Sequence, residues 1–187
     1  RIQFSGALYH LTSRGNERKP IFKDDDDRRA FLEILQQALD TYSVVLHSFV
    51  LMNNHWHFLA QTPLGNLSEF MRYFNITYTS HFNRRYKRSG HLYQGRYKSF
   101  LVEEDTYLMQ VSRYIHLNPV RVYGIKSAPK KKQASYLFDY QWSSLPGYIG
   151  TGKQFEFVLH DTVLEVFGGN TKDGRTAYKK QIVEDLE

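Results

Sequence analysis

Two apolar-rich runs, residues 43–52 and 55–61, are separated only by Asn53-Asn54. Asparagine tolerates positive φ, so an Asn pair between two β-patterned runs is a hairpin signal. This hairpin constrains the fold more than any other feature, because helical patterns flank it on both sides. Upstream, residues 6–14 read as a strand closed by Gly15-Asn16. Phe31, Leu32, Leu35, Ala38 and Leu39 then recur at helical spacing to about residue 41. Asp24 to Asp27 open that run, with Arg28 and Arg29 four residues after Asp24 and Asp25. Carboxylates there complement a helix N-terminus, so the acidic run reads as a cap and first turn rather than a metal site. Downstream, residues 66–86 read as a long helix with Leu67, Phe70, Phe74, Tyr78 and Phe82 on one stripe. Residues 95–103 read as a fourth strand, and residues 105–118 as a third helix stopped by Pro119. The order β-α-β-β-α-β, then α, is the ferredoxin-like split βαβ arrangement. The expected class is α+β, with an antiparallel sheet covered by helices on one face and open for a site on the other.

Beyond residue 120 the pattern weakens. Lys130 to Lys132 read as a solvated basic loop, residues 156–168 as a short helix ended by Gly168-Gly169, and residues 174–187 as a terminal helix.

Composition narrows the partner. The 187 residues suit one domain, or one with an appendage. With 25 Lys and Arg against 19 Asp and Glu, the net charge is +6. Aromatics make up 16% of the chain, with 14 Tyr among them. A basic, Tyr-rich chain suits a polyanion whose bases can stack. Hydrophobic residues at 41% are too many for a disordered chain. Cysteine is absent, which removes disulfides, thiolate nucleophiles and Cys-held metals and fits a cytoplasmic location. The longest apolar run, Phe49 to Met52, falls far short of the roughly 18 residues of a membrane span, so no membrane partner is expected. The chain opens on Arg1 rather than Met, as a piece lacking its true start would, and nothing in it resembles a leader.

Three constellations carry candidate chemistry. In Asn54-His55-Trp56-His57-Phe58, strand alternation turns His55 and His57 to one face and Trp56, Phe58 and Ala60 to the other, into the helix-packed core. Two imidazoles so placed can reach one divalent ion. An isolated His-x-His is nevertheless more often a pair of surface histidines. In the third helix, Tyr107, Gln110, Tyr114 and Asn118 share a face beside the apolar stripe of Leu108, Val111 and Ile115. Tyr114 can act as a covalent nucleophile, and Asn118, four residues on, can offer an amide oxygen to a metal. An amphipathic rim tyrosine and an Asn C-cap would read the same way. Residues 84–98 hold six Arg or Lys and no acid: Arg84, Arg85, Lys87, Arg88, Arg96 and Lys98. Tyr86, Tyr93 and Tyr97 interleave with them, a pattern suited to phosphates and unpaired bases.

Together these residues resemble the single-tyrosine HUH (His-hydrophobic-His) transposases, and in particular the REP-associated tyrosine transposases. The resemblance rests on Ala7-Leu-Tyr-His-Leu-Thr-Ser-Arg-Gly-Asn16 with Pro20-Ile21-Phe22, and on Met52-Asn-Asn-His-Trp-His-Phe58. It continues through His91-Leu-Tyr-Gln-Gly-Arg-Tyr-Lys98, Arg113-Tyr-Ile-His-Leu-Asn-Pro-Val-Arg121 and Trp142-Ser-Ser144 with Tyr148 and Gly150. These run in order over about residues 6–150, and only the ordered set is specific. The resemblance implies an HUH palm over residues 1–125 and a basic, mostly helical C-terminal extension over 126–187 packed on the same domain. It implies that His55 and His57 hold Mg²⁺ or Mn²⁺ with Asn118 as third ligand, and that Tyr114 is the nucleophile. His10 matches a first-strand His of the family, with its role left open. The expected DNA contacts are Arg14, Arg84, Arg85, Lys87, Arg88, Tyr93, Arg96, Tyr97, Lys98 and Arg121. The implied reaction is cleavage and rejoining of single-stranded or hairpin DNA through a 5′-phosphotyrosine, by a monomer or a homodimer. An HUH replication initiator or relaxase, or a non-catalytic nucleic-acid-binding module, are the competing readings.

Overall fold

The computed structural model describes residues 2–103, 105–122 and 124–186. The elements run β1 (Ala7–Arg14), a 3-10 turn (Asn16–Arg18), α1 (Asp25–Tyr42), β2 (Val45–Met52), β3 (His55–Thr62), α2 (Leu67–Arg85), β4 (Lys98–Leu101) and α3 (Asp105–Leu117). A 3-10 segment (Asn118–Arg121) follows, then α4 (Lys130–Phe138), α5 (Leu145–Ile149), α6 (Asp161–Glu165) and α7 (Lys172–Glu184). The sheet order is β2-β3-β1-β4, with β1 antiparallel to both β3 and β4. This is the α+β, ferredoxin-like order expected: β3 inserts between the two strands that α1 connects. The Asn53-Asn54 turn is present as read.

Chain contacts divide the molecule into two compact units: residues 1–46 with 51–102, and residues 47–50 with 103–187. In the first, alternate residues of the central strands are buried beneath the helices. Tyr9, Leu11, Trp56, Phe58 and Ala60 are each 2% exposed or less. Phe31 of α1 meets the rings of Trp56, Phe58, Phe74 and Tyr78, with centroids 4.8–6.3 Å away. Edge-to-face contacts such as Phe31–Tyr78 add to the hydrophobic gain of burial.

The acidic run behaves as a cap, with one addition. Asp24 accepts from the Asp27 backbone N–H at 3.0 Å and so caps α1. Asp27 itself is fully buried. It accepts from Arg85 Nη1 at 2.5 Å, Tyr86 Oη at 2.8 Å and the Lys23 N–H at 2.7 Å. This network ties the start of α1 to the end of α2. Asp27→Ala strands a tyrosine hydroxyl and a backbone N–H, while Arg85 keeps Asp24. The expected loss is about 2 kcal/mol, read as a lowered urea midpoint. An unchanged midpoint would remove the network from the stability of this unit.

In the second unit, the middle of β2 is fastened by side chains far along the chain. Phe49 N donates to Ser144 Oγ at 2.9 Å, and Tyr148 Oη donates to the His47 carbonyl at 2.7 Å. Ser48 Oγ lies 2.7 Å from Ser112 Oγ, and Phe49 packs on Phe155 with centroids 5.1 Å apart.

Several local expectations are corrected. Lys130 to Lys132 open helix α4 rather than forming a loop; Pro129 stands at the N-cap, and Gln133 and Leu137 are buried. The helix expected over 156–168 shrinks to Asp161–Glu165, and α5 was not anticipated because it has only five residues. The fourth strand is four residues long, since the chain bends at residues 94–96 before it pairs. The terminal helix forms, and Glu187, its last expected residue, lies outside the described residues.

Candidate active site

Strand register gathers the candidate residues of the first unit. Directly opposed residues of an antiparallel pair share a face, and here Arg14 opposes His55, Thr12 opposes His57 and His10 opposes Leu59. On the other side of β1, Lys98 opposes Thr12 and Phe100 opposes His10. One face of the sheet therefore carries His10, Arg14, His55, His57 and Lys98 together. It is less open than expected: His57 is 7% exposed and Leu59 is buried. The rings of His10 and Phe100, with centroids 5.8 Å apart, pack there.

The ring nitrogens are oriented by neighbours. Asn54 donates its Nδ2 to the Arg18 carbonyl at 2.8 Å, which turns its Oδ1 toward His55 Nδ1 at 2.7 Å. An amide oxygen only accepts, so His55 Nδ1 carries the proton and the lone pair sits on Nε2. His57 Nδ1 lies 2.9 Å from His10 Nε2. His57 takes the same tautomer when His10 accepts through Nε2. A hydrogen-bonded Nδ1 beside a lone pair on Nε2 is the pattern of a metal-binding imidazole with its orienting partner. The His55 and His57 rings, 5.2 Å apart and near perpendicular, are close enough to reach one ion. Burial lowers His10 to about 4. Burial first, and then the charge of Arg14, lowers His55 to about 4. At neutral pH both rings are therefore uncharged, as a metal ligand must be.

His10 and Asn54 are the residues whose part sequence reasoning missed. The sequence assigns His10 no role and marks Asn54 only as a turn former. Nothing local signals the His10–His57 contact, since the two lie 47 residues apart.

Tyr114 and Asn118 belong to the second unit. Tyr114 is 40% exposed, while its neighbours Val111 and Ile115 are buried, so it stands at the rim of the apolar stripe as expected. The Arg121 guanidinium lies over the Tyr114 ring, 4.5 Å from its centroid. Asn118 is buried, and its Nδ2 donates to the Tyr114 carbonyl at 2.9 Å. That leaves Oδ1 as its atom for a metal. The α-helix ends at Leu117 and a 3-10 segment takes over, because Pro119 cannot extend the helical hydrogen bonds. Among the described residues, no three His, Asp or Glu side chains form a group able to hold a metal ion.

The basic stretch divides. Arg14, Arg84, Lys87, Arg96, Lys98 and Arg121 are exposed. Arg85 is already engaged by Asp24 and Asp27. Arg88 is held by Asn83 Oδ1 at 2.9 Å. Tyr93 and Tyr97 are each 8% exposed. Their rings are largely withdrawn from solvent. Tyr86 is tied to Asp27 and lies beneath the Lys23 ammonium, 4.0 Å from the ring centroid.

Comparisons with known proteins follow the same lines. A family model described as "Transposase IS200 like" matches residues 3–118. The fold is similar to that of a REP-associated tyrosine transposase solved bound to a REP hairpin. The TM-score is 0.63 at 14% identity, covering 85% of this chain and 94% of that one. A solved chain from Deinococcus radiodurans R1, named as a candidate transposase, aligns with a TM-score of 0.45 at 20% identity, over 62% of this chain and 92% of that one. No curated protein matches the sequence. No helix among the described residues is long and apolar enough to cross a membrane.

Proposed function

The chain belongs to the IS200-like transposase family, enzymes that act on DNA, and from that premise we propose that it cuts and rejoins single-stranded DNA through a covalent tyrosine link. The observation that carries the reading is the paired orientation of His55 and His57, each with Nδ1 hydrogen-bonded. Their donor chemistry fits a divalent ion, with Asn118 Oδ1 as the further ligand. Mg²⁺ prefers oxygen ligands, so an imidazole pair favours Mn²⁺ of the two. Such an ion would supply positive charge to a non-bridging oxygen of the scissile phosphate.

Tyr114 is the nucleophile. Its Oη loses its proton and forms a bond to phosphorus, and the bond from phosphorus to the 3′-oxygen breaks. The 3′-oxygen leaves and takes up a proton, giving a free 3′-OH and a 5′-phosphotyrosine. Attack by another 3′-OH reverses the step and joins strands without an external energy source. Arg121 over the Tyr114 ring holds the phenol in place and brings positive charge toward the approaching phosphate. Arg14, Arg84, Lys87, Arg96 and Lys98 contact the backbone by charge. The DNA is a hairpin element, by analogy with the hairpin bound to the structurally similar transposase.

A labelled hairpin oligonucleotide with an unpaired flank, incubated with the protein and Mn²⁺, should become covalently attached. Omission of the metal should prevent this. Attachment that is independent of metal, or none under any condition, would overturn the reading.

His10 positions His57 in this scheme. His10→Phe keeps a ring beside Phe100 and removes the acceptor for His57 Nδ1. Mn²⁺ affinity, measured by calorimetry on the protein alone, should fall by about 10–100-fold. Unchanged affinity would reduce His10 to packing.

A further inference from the structure

Tyr114 lies in the last turn of α3, just before the α-helix ends at Leu117. Carbonyls of a last turn lack intrahelical partners, so a helix end frays unless something outside it holds it. The neighbours of Tyr114 are tied to α7, the terminal helix of the second unit, to which the proposed reaction gives no part.

Two of the ties meet on one atom. Tyr178 Oη lies 2.9 Å from Ser112 Oγ and 2.7 Å from His116 Nδ1. Ser112 and His116 share a face of α3, one helical turn apart. Tyr114, midway between them, is turned about 200° from each and stands on the opposite side. A helix pinned along one side at two levels can neither roll about its axis nor slide along it. A third tie starts beside Tyr114: Arg113 Nε donates to Oδ2 of Asp185, the C-cap of α7, at 2.6 Å. Gln181 Nε2 donates to the other oxygen of that carboxylate at 3.2 Å.

The first two ties are polar and dry. Ser112, His116 and Tyr178 are fully buried. His116 Nε2 lies 2.7 Å from Ser144 Oγ, and Ser112 Oγ lies 2.7 Å from Ser48 Oγ, so each group has its partners. Apolar side chains of similar size would fill this space, but their contacts are non-directional and would let the helix settle at more than one rotation. A fully satisfied hydrogen-bond network selects one.

We propose that Tyr178 is a positioning residue for the cleavage step: its hydroxyl, with the Asp185 carboxylate, sets the rotation of α3 and thereby the place of the Tyr114 hydroxyl. The C-terminal helix then has a part in the chemistry without touching the DNA. The inference rests on Tyr114 as nucleophile and deepens that reading. Attack on phosphorus tolerates little misplacement, and an error of about 1 Å can cost on the order of 100-fold in rate. A brace on the rear of α3 therefore acts on the rate of the bond-making step and not on DNA affinity.

The test compares two buried tyrosines of the same unit. Tyr178→Phe removes the hydroxyl that holds α3. Tyr148→Phe, at a ring 5.0 Å from that of Tyr178, removes one that bonds the β2 backbone at His47. Attachment to a labelled hairpin oligonucleotide with Mn²⁺ is followed in single turnovers over a range of protein concentrations, well below each variant's melting temperature. Tyr178→Phe should lower the rate at saturation by ~10-fold or more, with the half-saturating concentration within about twofold of native. Tyr148→Phe should keep the native rate. Asp185→Ala, at a part-exposed position, should lower the saturated rate in the same way and serves if Tyr178→Phe folds poorly. Without DNA, a fluorine label on the Tyr114 ring should give an NMR resonance that Tyr178→Phe shifts or broadens and Tyr148→Phe leaves in place. A native saturated rate in both Tyr178→Phe and Asp185→Ala, equal slowing by Tyr178→Phe and Tyr148→Phe, a loss confined to affinity, or an unmoved resonance overturns the inference while Tyr114 keeps its role. Attachment that survives in Tyr114→Phe, or a native protein that never attaches, overturns both readings.

Discussion

Replacing Tyr114 by phenylalanine is expected to abolish covalent attachment to DNA, by at least about 10⁴-fold, while hairpin binding stays within about twofold. The change removes a single oxygen, the one that would bond to phosphorus. Tyr114 is 40% exposed, so the substitution falls at the rim of the core and not within it. The ring remains beneath Arg121, which keeps the cation–π contact. Stability should therefore be unchanged, and a thermal melt beside the attachment assay checks it. A phenylalanine variant that still becomes covalently linked would move the nucleophile elsewhere. Tyr107, also exposed on α3, would be the next to test.

Acid should destabilise the second unit through His116. This ring is fully buried, with Nδ1 2.7 Å from Tyr178 Oη and Nε2 2.7 Å from Ser144 Oγ. Burial, and then the charge of a protonated His160, lowers His116 to about 3. The unfolded chain takes up its proton near 6.5. The folded state therefore binds fewer protons between these values, and stability must fall as pH drops through that window. The stabilisation is complete above 6.5 and is lost progressively toward 3. At about 1.4 kcal/mol per unit, the loss by pH 4 is roughly 3 kcal/mol. Urea unfolding at pH 7 and pH 4 should show this drop in the native protein and a smaller one in His116→Gln. Parallel losses in the two would exclude His116 as the cause.

The His116 network also explains why the C-terminal half was hard to read. Ser112, Ser144, His116 and Tyr178 look like scattered polar residues along the chain. In the fold Tyr178 Oη bonds both His116 and Ser112, and Ser144 Oγ meets the Phe49 N–H. These partners are 62, 66 and 95 residues apart, so no local period reveals them. Short helices add to the difficulty: α5 and α6, at five residues each, hold too little periodic signal to register.

What the amino-acid order determined by itself is what depends on neighbours in sequence. The Asn53-Asn54 turn, the alternation that puts His55 and His57 on one face, and the rim position of Tyr114 all follow from fixed local periods. The element order followed from those periods, and with it the ferredoxin-like sheet. Tertiary structure decided which polar groups are engaged and which remain available. It put Arg85 against buried Asp27, withdrew Tyr93 and Tyr97 from solvent and joined His10 to His57. The reason is physical: periodicity is a property of the backbone and acts over a few residues, whereas burial and charge pairing depend on which distant segments the fold brings together.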